Sequence, residues 1–277
     1  MIIDSHTHIS DIAFWGEKFI EQIKKTGKEV PKPPSIEEHF EAMKPVDKVL
    51  VLGFRSNAIG SLIPNEFIKK YVDQYPDKMI GVTCVDPHDK NAITELRHNV
   101  EEWGFKGLKL GPIYQHFFPN EERWFPLYKT VEELGIPIII HQGATGISDA
   151  PMKYASPIML EEIAIKFPEL KIIVAHLAYP WERELATLIW KQPNMYADIS
   201  GFQDRPFNLY QNLVYFKEFG ILDRLLFASD FPETTPGKAM DQLRNINRFA
   251  EGTELPKIPD RDIEALINTN AQRILKL

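Results

Sequence analysis

Short apolar runs alternate with stretches of helical periodicity along the chain. Eight runs are almost continuously apolar, as strands buried on both faces of a parallel sheet are. They cover residues 1–4, 48–52, 80–85, 107–110, 137–140, 171–175, 195–199 and 225–228. Between them, apolar residues at positions i, i+3 and i+4 predict helices. Eight strands alternating with helices predict one α/β domain over residues 1–277, a (β/α)8 TIM barrel.

The predicted helices follow the strands in regular order. One begins at Ser35 with a capping-box pattern, and a closing helical segment covers residues 260–277. The others cover residues 65–75, 91–103, 125–134, 157–167, 181–192, 207–219 and 238–250.

One connection is much longer than the others. About forty residues separate the first two strands, and residues 10–34 read as an insertion in the first βα loop. It holds an amphipathic segment at 14–25 and a proline-rich segment at 30–34. Because such loops lie over the active-site face of a barrel, the insertion is either a lid that helps to form the substrate pocket or a variable surface excursion. An exposed insertion could also support a homodimer.

Polar residues follow several strands at the end where barrel enzymes keep their chemistry. His6 and His8 follow the first strand, His141 the fifth, His176 the sixth and Asp230 the eighth. Side chains at i and i+2 of a strand point to the same side, so the His-x-His pair can face one metal ion. Imidazoles with one carboxylate suit Zn²⁺, and also Mn²⁺, Fe²⁺, Co²⁺ or Ni²⁺. We therefore expect a divalent metal site, with Zn²⁺ as the first choice.

Composition narrows the range of partners. Lysine and arginine number 32 and aspartate and glutamate 39, a net charge of −7, which disfavours nucleic acid as a partner. No apolar run approaches 18 residues, so we expect no membrane span, and no signal-peptide pattern is visible. A single cysteine, Cys84, excludes a disulfide within the chain and a cysteine-rich zinc site. We expect a cytoplasmic protein whose partner is a small-molecule substrate.

Several segments together resemble the amidohydrolase superfamily, and more narrowly the amidohydrolase-related group that includes aminocarboxymuconate-semialdehyde decarboxylase. The matching segments are IDSHTH at 3–8, GLKL at 107–110, IHQG at 140–143, VAHL at 174–177, FASDFP at 227–232 and NAQRIL at 270–275. The resemblance spans almost the whole chain. It specifies the superfamily well and the substrate poorly.

The resemblance implies a role for each residue of the predicted site. It makes His6, His8 and His141 metal ligands, and it places Asp230 on or beside the metal, where it exchanges a proton with the metal-bound water. His176 is then either a catalytic group near that water or a ligand of a second metal. We expect the one-metal arrangement, with His176 and Asp230 as the catalytic residues.

Lys109 in the fourth strand has two interpretations. In two-metal relatives a carbamylated lysine at about this position bridges the ions; otherwise the lysine pairs with a carboxylate or binds an anionic substrate. We interpret Lys109, with Arg55 and Tyr114, as substrate-binding candidates. Other candidates for pocket contact follow the strands or lie in the insertion: His88, His116, Arg205, Trp15 and Trp124.

Two reactions fit these motifs. The first is hydrolysis, in which a metal-activated water attacks a small carbonyl substrate and Asp230 takes the proton. The alternative is non-oxidative decarboxylation of an aromatic or unsaturated carboxylic acid. The GLKLGPIYQ segment at 107–115 resembles predicted metal-dependent hydrolases and favours the first. A metal-dependent deoxyribonuclease and a catalytically inactive scaffold are less favoured, because Lys109 stands where the nucleases have glutamate and because all the expected polar residues are present.

Overall fold

Eight parallel strands form the centre of the molecule in the computed structural model, which describes residues 1–25, 27 and 29–277. Each strand pairs with the next one along the chain. The strands are β1 (Ile3–His8), β2 (Lys48–Leu52), β3 (Met79–Cys84), β4 (Leu108–Leu110), β5 (Ile138–Ile140), β6 (Ile172–Val174), β7 (Met195–Asp198) and β8 (Leu225–Leu226).

The barrel closes through the chain that follows β8. Ser5 N donates to Phe227 O at 3.1 Å, and His8 N donates to Phe231 O at 2.8 Å. A parallel bridge joins Thr7 to Phe231. Although β8 is only two residues long, these bonds extend its pairing along β1. The predicted (β/α)8 TIM barrel is confirmed.

Helices surround the barrel. They are α1 (Glu17–Lys25), α2 (Ile36–Ala42), α3 (Asn65–Val72), α4 (Ala92–Glu101), α5 (Pro112–Gln115), α6 (Phe125–Glu133), α7 (Leu160–Lys166), α8 (Glu182–Lys191), α9 (Pro206–Glu218), α10 (Pro236–Arg244), α11 (Asp260–Asn268) and α12 (Asn270–Leu275). The capping box that starts α2 is present as predicted, because Ser35 and Glu38 bond each other's backbone N–H. Within the described residues, no helix has the length and apolar character needed to cross a membrane.

Apolar side chains pack in two layers. Those inside the barrel come from alternate strand positions and are closed at one end by α12, through Ala271 and Ile274. The larger cluster lies between the outer strand faces and the surrounding helices. Since both strand faces are buried, the strands have the near-continuous apolar sequence from which they were predicted.

The structure moves some predicted boundaries. Strand β1 runs on to His8, so the His-x-His pair lies within the strand and not after it. The segment predicted as a helix at 238–250 is α10 followed by a 3-10 turn at Ile246–Ala250. The closing segment is two helices that meet at Thr269. A two-stranded hairpin, Arg55–Ser56 with Ser61–Leu62, was not predicted.

The connection between β1 and β2 contains the predicted insertion at about 10–34, of which Thr26 and Lys28 lie outside the described residues. It holds a 3-10 turn at Ile12–Phe14 and helix α1. Gly16 N donates to Gly60 O at 2.8 Å, which fixes the start of α1 on the hairpin. A Cβ at Gly16 would meet the same carbonyl oxygen at 3.1 Å, so this close approach favours glycine.

Candidate metal centre and active-site cavity

Strand β1 brings two imidazoles together. Nε2 of His6 lies 3.1 Å from Nε2 of His8. The pairing of β1 with β2 is irregular between Asp4 and Thr7, where β1 has one residue more than β2. Such a bulge redirects side chains, and bulges are common beside active sites.

Hydrogen bonds fix the protons on both rings. Nδ1 of His8 lies 3.2 Å from the carbonyl oxygen of Leu52, which only accepts, so this nitrogen carries the proton. Nδ1 of His6 lies 2.8 Å from Oδ2 of Asp198 and donates to that carboxylate. Burial lowers the pKa of both imidazoles, so both are neutral. Each Nε2 therefore presents a lone pair, and two lone pairs 3.1 Å apart repel unless a cation lies between them.

Asp230 supplies the third donor. Its Oδ1 lies 3.5 Å from Nε2 of His6 and 3.8 Å from Nε2 of His8. The three side chains form a group whose ligand atoms all lie within 4.8 Å of one another. Two neutral imidazoles and one carboxylate fit a divalent ion such as Zn²⁺ or Mn²⁺. Burial raises the pKa of Asp230 well above its usual range, although the charge of Lys109 opposes the shift.

Asp198, at the end of β7, holds a predicted metal ligand, His6, and a predicted catalytic residue, His176, at once. Oδ2 accepts from His6, and Oδ1 accepts from the backbone N–H of His176 at 3.1 Å. Ser200 donates to Oδ1 through both its hydroxyl, at 2.5 Å, and its backbone N–H, at 3.1 Å. Burial alone would raise the pKa of Asp198, but His6 and these donors hold it well below its usual range. A carboxylate that orients a ligating histidine in this way is typical of metal centres.

The same serine fixes the proton on His176. Nδ1 of His176 lies 2.8 Å from Oγ of Ser200. Because the single hydroxyl proton goes to Asp198, Oγ accepts here and His176 carries its proton on Nδ1. The ring stacks on that of His6, with centroids 4.9 Å apart. His6, His176 and Asp198 also form a compact group, but hydrogen bonds within it already use the facing Nδ1 atoms and both carboxylate oxygens.

Backbone strain marks this corner of the site. His176, Leu177 and Ala178 all have positive φ, between 50° and 56°. Left-handed conformation costs a residue other than glycine about 1–2 kcal/mol, and such strain clusters at functional sites. Gly201 (φ 79°) lies against the ring of His176, where a Cβ would be 3.1 Å from Nδ1. Glycine at 201 therefore makes room for the imidazole.

His141 follows β5 and belongs to neither of the two compact groups, that of His6, His8 and Asp230 and that of His6, His176 and Asp198. Its Nε2–H donates to the carbonyl oxygen of Ala144 at 3.2 Å, which leaves a lone pair on Nδ1 as the atom that could bind a metal. The ring centroid is 4.9 Å from that of His176 and 4.8 Å from that of Tyr114. Burial lowers the pKa of His141 to about 3. Its role as a metal ligand stays a prediction.

A cavity of about 780 Å³ opens over these residues. Lys109 and Tyr114 line it, and so does Arg205, whose guanidinium lies 3.9 Å from the ring centroid of Tyr179. Residues of the predicted insertion form part of its wall: Ser10, Trp15, Phe19, Pro31, Lys32, Pro33 and Pro34. The insertion thus contributes directly to the cavity surface.

Four sequence candidates lie elsewhere. Arg55 does not line the cavity; its guanidinium pairs with Asp89 at 2.9 Å and Glu95 at 3.1 Å. This pairing holds the guanidinium away from the cavity, and the role of Arg55 as a substrate contact stays a prediction. His88 bonds the carbonyl oxygen of Gln115, and His116 bonds that of Asp149. Trp124 packs against the ring of His88.

The chain is similar to proteins of known type. The family model described as Amidohydrolase matches residues 3–277. The chain is 25% identical over 246 residues to 2-keto-4-carboxy-3-hexenedioate hydratase of Sphingobium sp., a match that covers 76% of the chain and 69% of the hydratase.

Two solved structures share the fold. A probable 2-pyrone-4,6-dicarboxylic acid hydrolase from Acinetobacter baumannii has a TM-score of 0.71 at 19% identity, covering 100% of this chain and 99% of the other. A 5-carboxyvanillate decarboxylase from Novosphingobium aromaticivorans, complexed with manganese, has a TM-score of 0.70 at 17% identity, covering 100% and 96%. Because the family model matches nearly the full length of this chain, the chain belongs to the amidohydrolase family.

Proposed function

We propose that this chain is a metal-dependent hydrolase of a small carbonyl substrate, with one divalent ion held by His6, His8, Asp230 and His141. The observation that carries the proposal is the pair of Nε2 lone pairs 3.1 Å apart, with a carboxylate oxygen within 3.8 Å of both. When bound, a divalent ion acidifies water and polarises a carbonyl oxygen.

The chain's own residues supply the proton transfers. Asp230 faces the ligand nitrogens and is the group placed to accept a proton from the attacking water and return it to the leaving group. His176 carries its proton on Nδ1, and its ring lies beside both His6 and His141. Its Nε2 then presents a lone pair, which suits it to accept a proton from the attacking water or the substrate.

The cavity favours a substrate with an anionic group. Arg205 and Lys32 line it, and neither has a carboxylate partner among the ion pairs of the described residues. Lys109 adds a third amino or guanidinium group deeper in the same cavity. The relatives named above act, by their names, on carboxylated compounds, which supports a carboxylate as that group.

A second candidate is decarboxylation of an aromatic or unsaturated carboxylic acid. The observation that favours it is the likeness in fold to the manganese-containing 5-carboxyvanillate decarboxylase. The same residues would then orient a substrate carboxylate and deliver a proton to the carbon that loses CO₂. Asp230 is again the group placed for that delivery.

The two reactions separate in a substrate panel. The protein is loaded with Zn²⁺ or Mn²⁺ and tested on carboxylated lactones, esters and amides, and separately for CO₂ release from aromatic and muconate-like acids. We expect metal-dependent hydrolysis that a chelator abolishes. CO₂ release without any hydrolysis would establish the second candidate instead. Unchanged metal content in the His6→Ala/His8→Ala double variant would contradict the metal centre itself.

A further inference from the structure

His39 is a completely buried histidine that lies outside the cavity. It belongs to α2, in the layer of helices around the barrel. Its Nδ1 lies 2.7 Å from the hydroxyl of Tyr71, and its Nε2 lies 3.0 Å from Oγ1 of Thr7. A buried imidazole with a partner on each nitrogen is a specific arrangement, and the reaction proposed above does not use it.

These bonds form a network of Tyr71, His39 and Thr7, and the direction of each follows from the bond that Thr7 makes to β2. Thr7 Oγ1 lies 2.8 Å from the carbonyl oxygen of Leu50, which only accepts, so the threonine hydroxyl donates to it. Because the single hydroxyl proton goes to Leu50, Oγ1 accepts from Nε2–H of His39. Nδ1 of His39 then accepts from the Tyr71 hydroxyl. The hydrogen-bond network runs from Tyr71 through His39 and Thr7 to the backbone of β2.

The network ends where the pairing of β1 with β2 is irregular. Leu50 has no partner in β1, because the register passes from Asp4–Val49 to Thr7–Val51. The side chain of Thr7 therefore supplies a hydrogen bond across the bulge. Thr7 lies between His6 and His8, and its side chain points to the opposite side of the strand. Whatever holds Thr7 also sets the rotation of β1 that aims both imidazoles.

The same histidine contacts the segment that carries Asp230. Its ring packs edge-to-face on Phe231, with centroids 5.2 Å apart. Phe231 O accepts from His8 N, and Asp230 N donates to His6 O at 2.9 Å. His39 thus lies behind both segments that supply the compact donor group.

We propose that His39 is a positioning residue for the metal centre, acting through Thr7 on His6 and His8 and through Phe231 on Asp230. The inference rests on the metal centre of the proposed function. It assigns to a helix outside the barrel the task of holding the β1 bulge in the shape that brings the ligand nitrogens together.

Metal affinity tests the inference separately from activity. The variants are His39→Leu, which removes the donor to Thr7, and Thr7→Val, which removes the hydroxyl at nearly constant shape. We expect each to weaken Zn²⁺ and Mn²⁺ binding about 10–100-fold in chelator competition, the range found for residues that support metal ligands. Because both remove the hydrogen bond between His39 and Thr7, the double variant should be weaker than either single one by less than the sum of the two effects. His39→Gln retains a donor toward Thr7 and should keep most of the affinity.

Asn194 provides a matched control. It is buried and donates to three carbonyl oxygens, those of Ala164, Phe167 and Leu170, at the other end of β7. Asn194→Ala should lower the melting temperature of the metal-free protein and leave metal affinity unchanged.

Two results would overturn the inference. One is metal affinity within about twofold of wild type in His39→Leu while its stability falls as in the control. If His39→Leu does not fold, wild-type affinity in Thr7→Val has the same force. A wild-type chain that binds no metal would contradict the proposed function as well, so the two failures are distinguishable.

Discussion

Nζ of Lys109 lies 3.1 Å from Nε2 of His6, the nitrogen proposed as a metal ligand. Lys109 is almost completely buried, and burial lowers its pKa although Asp198 and Asp230 oppose the shift. A protonated lysine amine and a metal ion would therefore compete for the single lone pair on Nε2 of His6. Removing the amine tests which interpretation of Lys109, bridging ligand or substrate contact, is correct.

Replacing Lys109 by methionine should leave one metal ion per chain and strengthen its binding, because a neighbouring positive charge is removed. The kcat/KM for an anionic substrate should fall by about tenfold or more, since a buried charge-assisted contact is lost. Elemental analysis and titration with Zn²⁺ measure the first effect, and steady-state kinetics the second. A drop from two ions to one would instead identify the lysine as a bridging ligand.

Asp198→Asn should weaken metal binding about 10–100-fold. The change removes the carboxylate that holds the proton on Nδ1 of His6 and so directs Nε2 toward the metal. Asp73→Asn is a control for loss of one negative charge, since Asp73 is exposed and pairs with Lys69. Chelator competition compares the two variants. Equal affinities for the two would contradict the orienting role.

His176→Ala should retain the metal and lose turnover. Removal of a group that transfers or stabilises charge costs about 10²–10⁴ in kcat. Metal content is measured alongside kcat, because its outcome distinguishes a catalytic residue from a ligand of a second ion. A variant with half the metal of wild type would support the second role.

Arg205→Ala should raise KM for a carboxylated substrate about tenfold or more and change kcat little. Arg205 lines the cavity and has only a backbone carbonyl, that of Gly201, as its hydrogen-bond acceptor among the described contacts. Arg55→Ala is the matched comparison, because its guanidinium is paired with Asp89 and Glu95 away from the cavity. That variant should lose stability and keep KM. The reverse pattern would restore Arg55 as the substrate contact.

Unfolding of the metal-free protein should depend on pH through His39. Burial lowers the pKa of His39 from its usual 6.5 to about 3. Below pH 6.5 the unfolded chain binds a proton that the folded chain excludes, so stability falls as the pH drops. Between pH 6 and 4 the free energy of unfolding should fall less steeply in His39→Gln, by about 1.4 kcal/mol per pH unit. Urea titrations across this range measure the slopes, and parallel slopes would contradict the prediction.

Strand positions and the strand-end residues could be predicted because they depend on local patterns. Continuous apolar runs identify buried parallel strands, and His6, His8, His141, His176 and Asp230 stand where such runs end. Parallel strands end at one face of a barrel, so the meeting of these residues follows from topology. This is why the TIM barrel and its cluster of histidines were predicted from the sequence.

Contacts made by long side chains could not be predicted in this way. Arg55 follows a strand as the site residues do, but Asp89 and Glu95 from other parts of the chain hold it away from the cavity. Ser200 and His39 were not predicted because their roles depend on partners far along the chain. A histidine on the buried face of a helix is a weak signal, and the bulge in β1 that gives His39 its partner has no readable pattern.

The long sequence separation between β1 and the segment after β8 has a consequence for how the protein is made. The donor group joins residues 6 and 8 to residue 230, and the closing bonds span 222 positions between Ser5 and Phe227. A ribosome must therefore release almost the whole barrel before the site exists. Partly synthesised chains hold the two imidazoles without their carboxylate, so a metal site that needs Asp230 would be complete only at the last stage of biosynthesis.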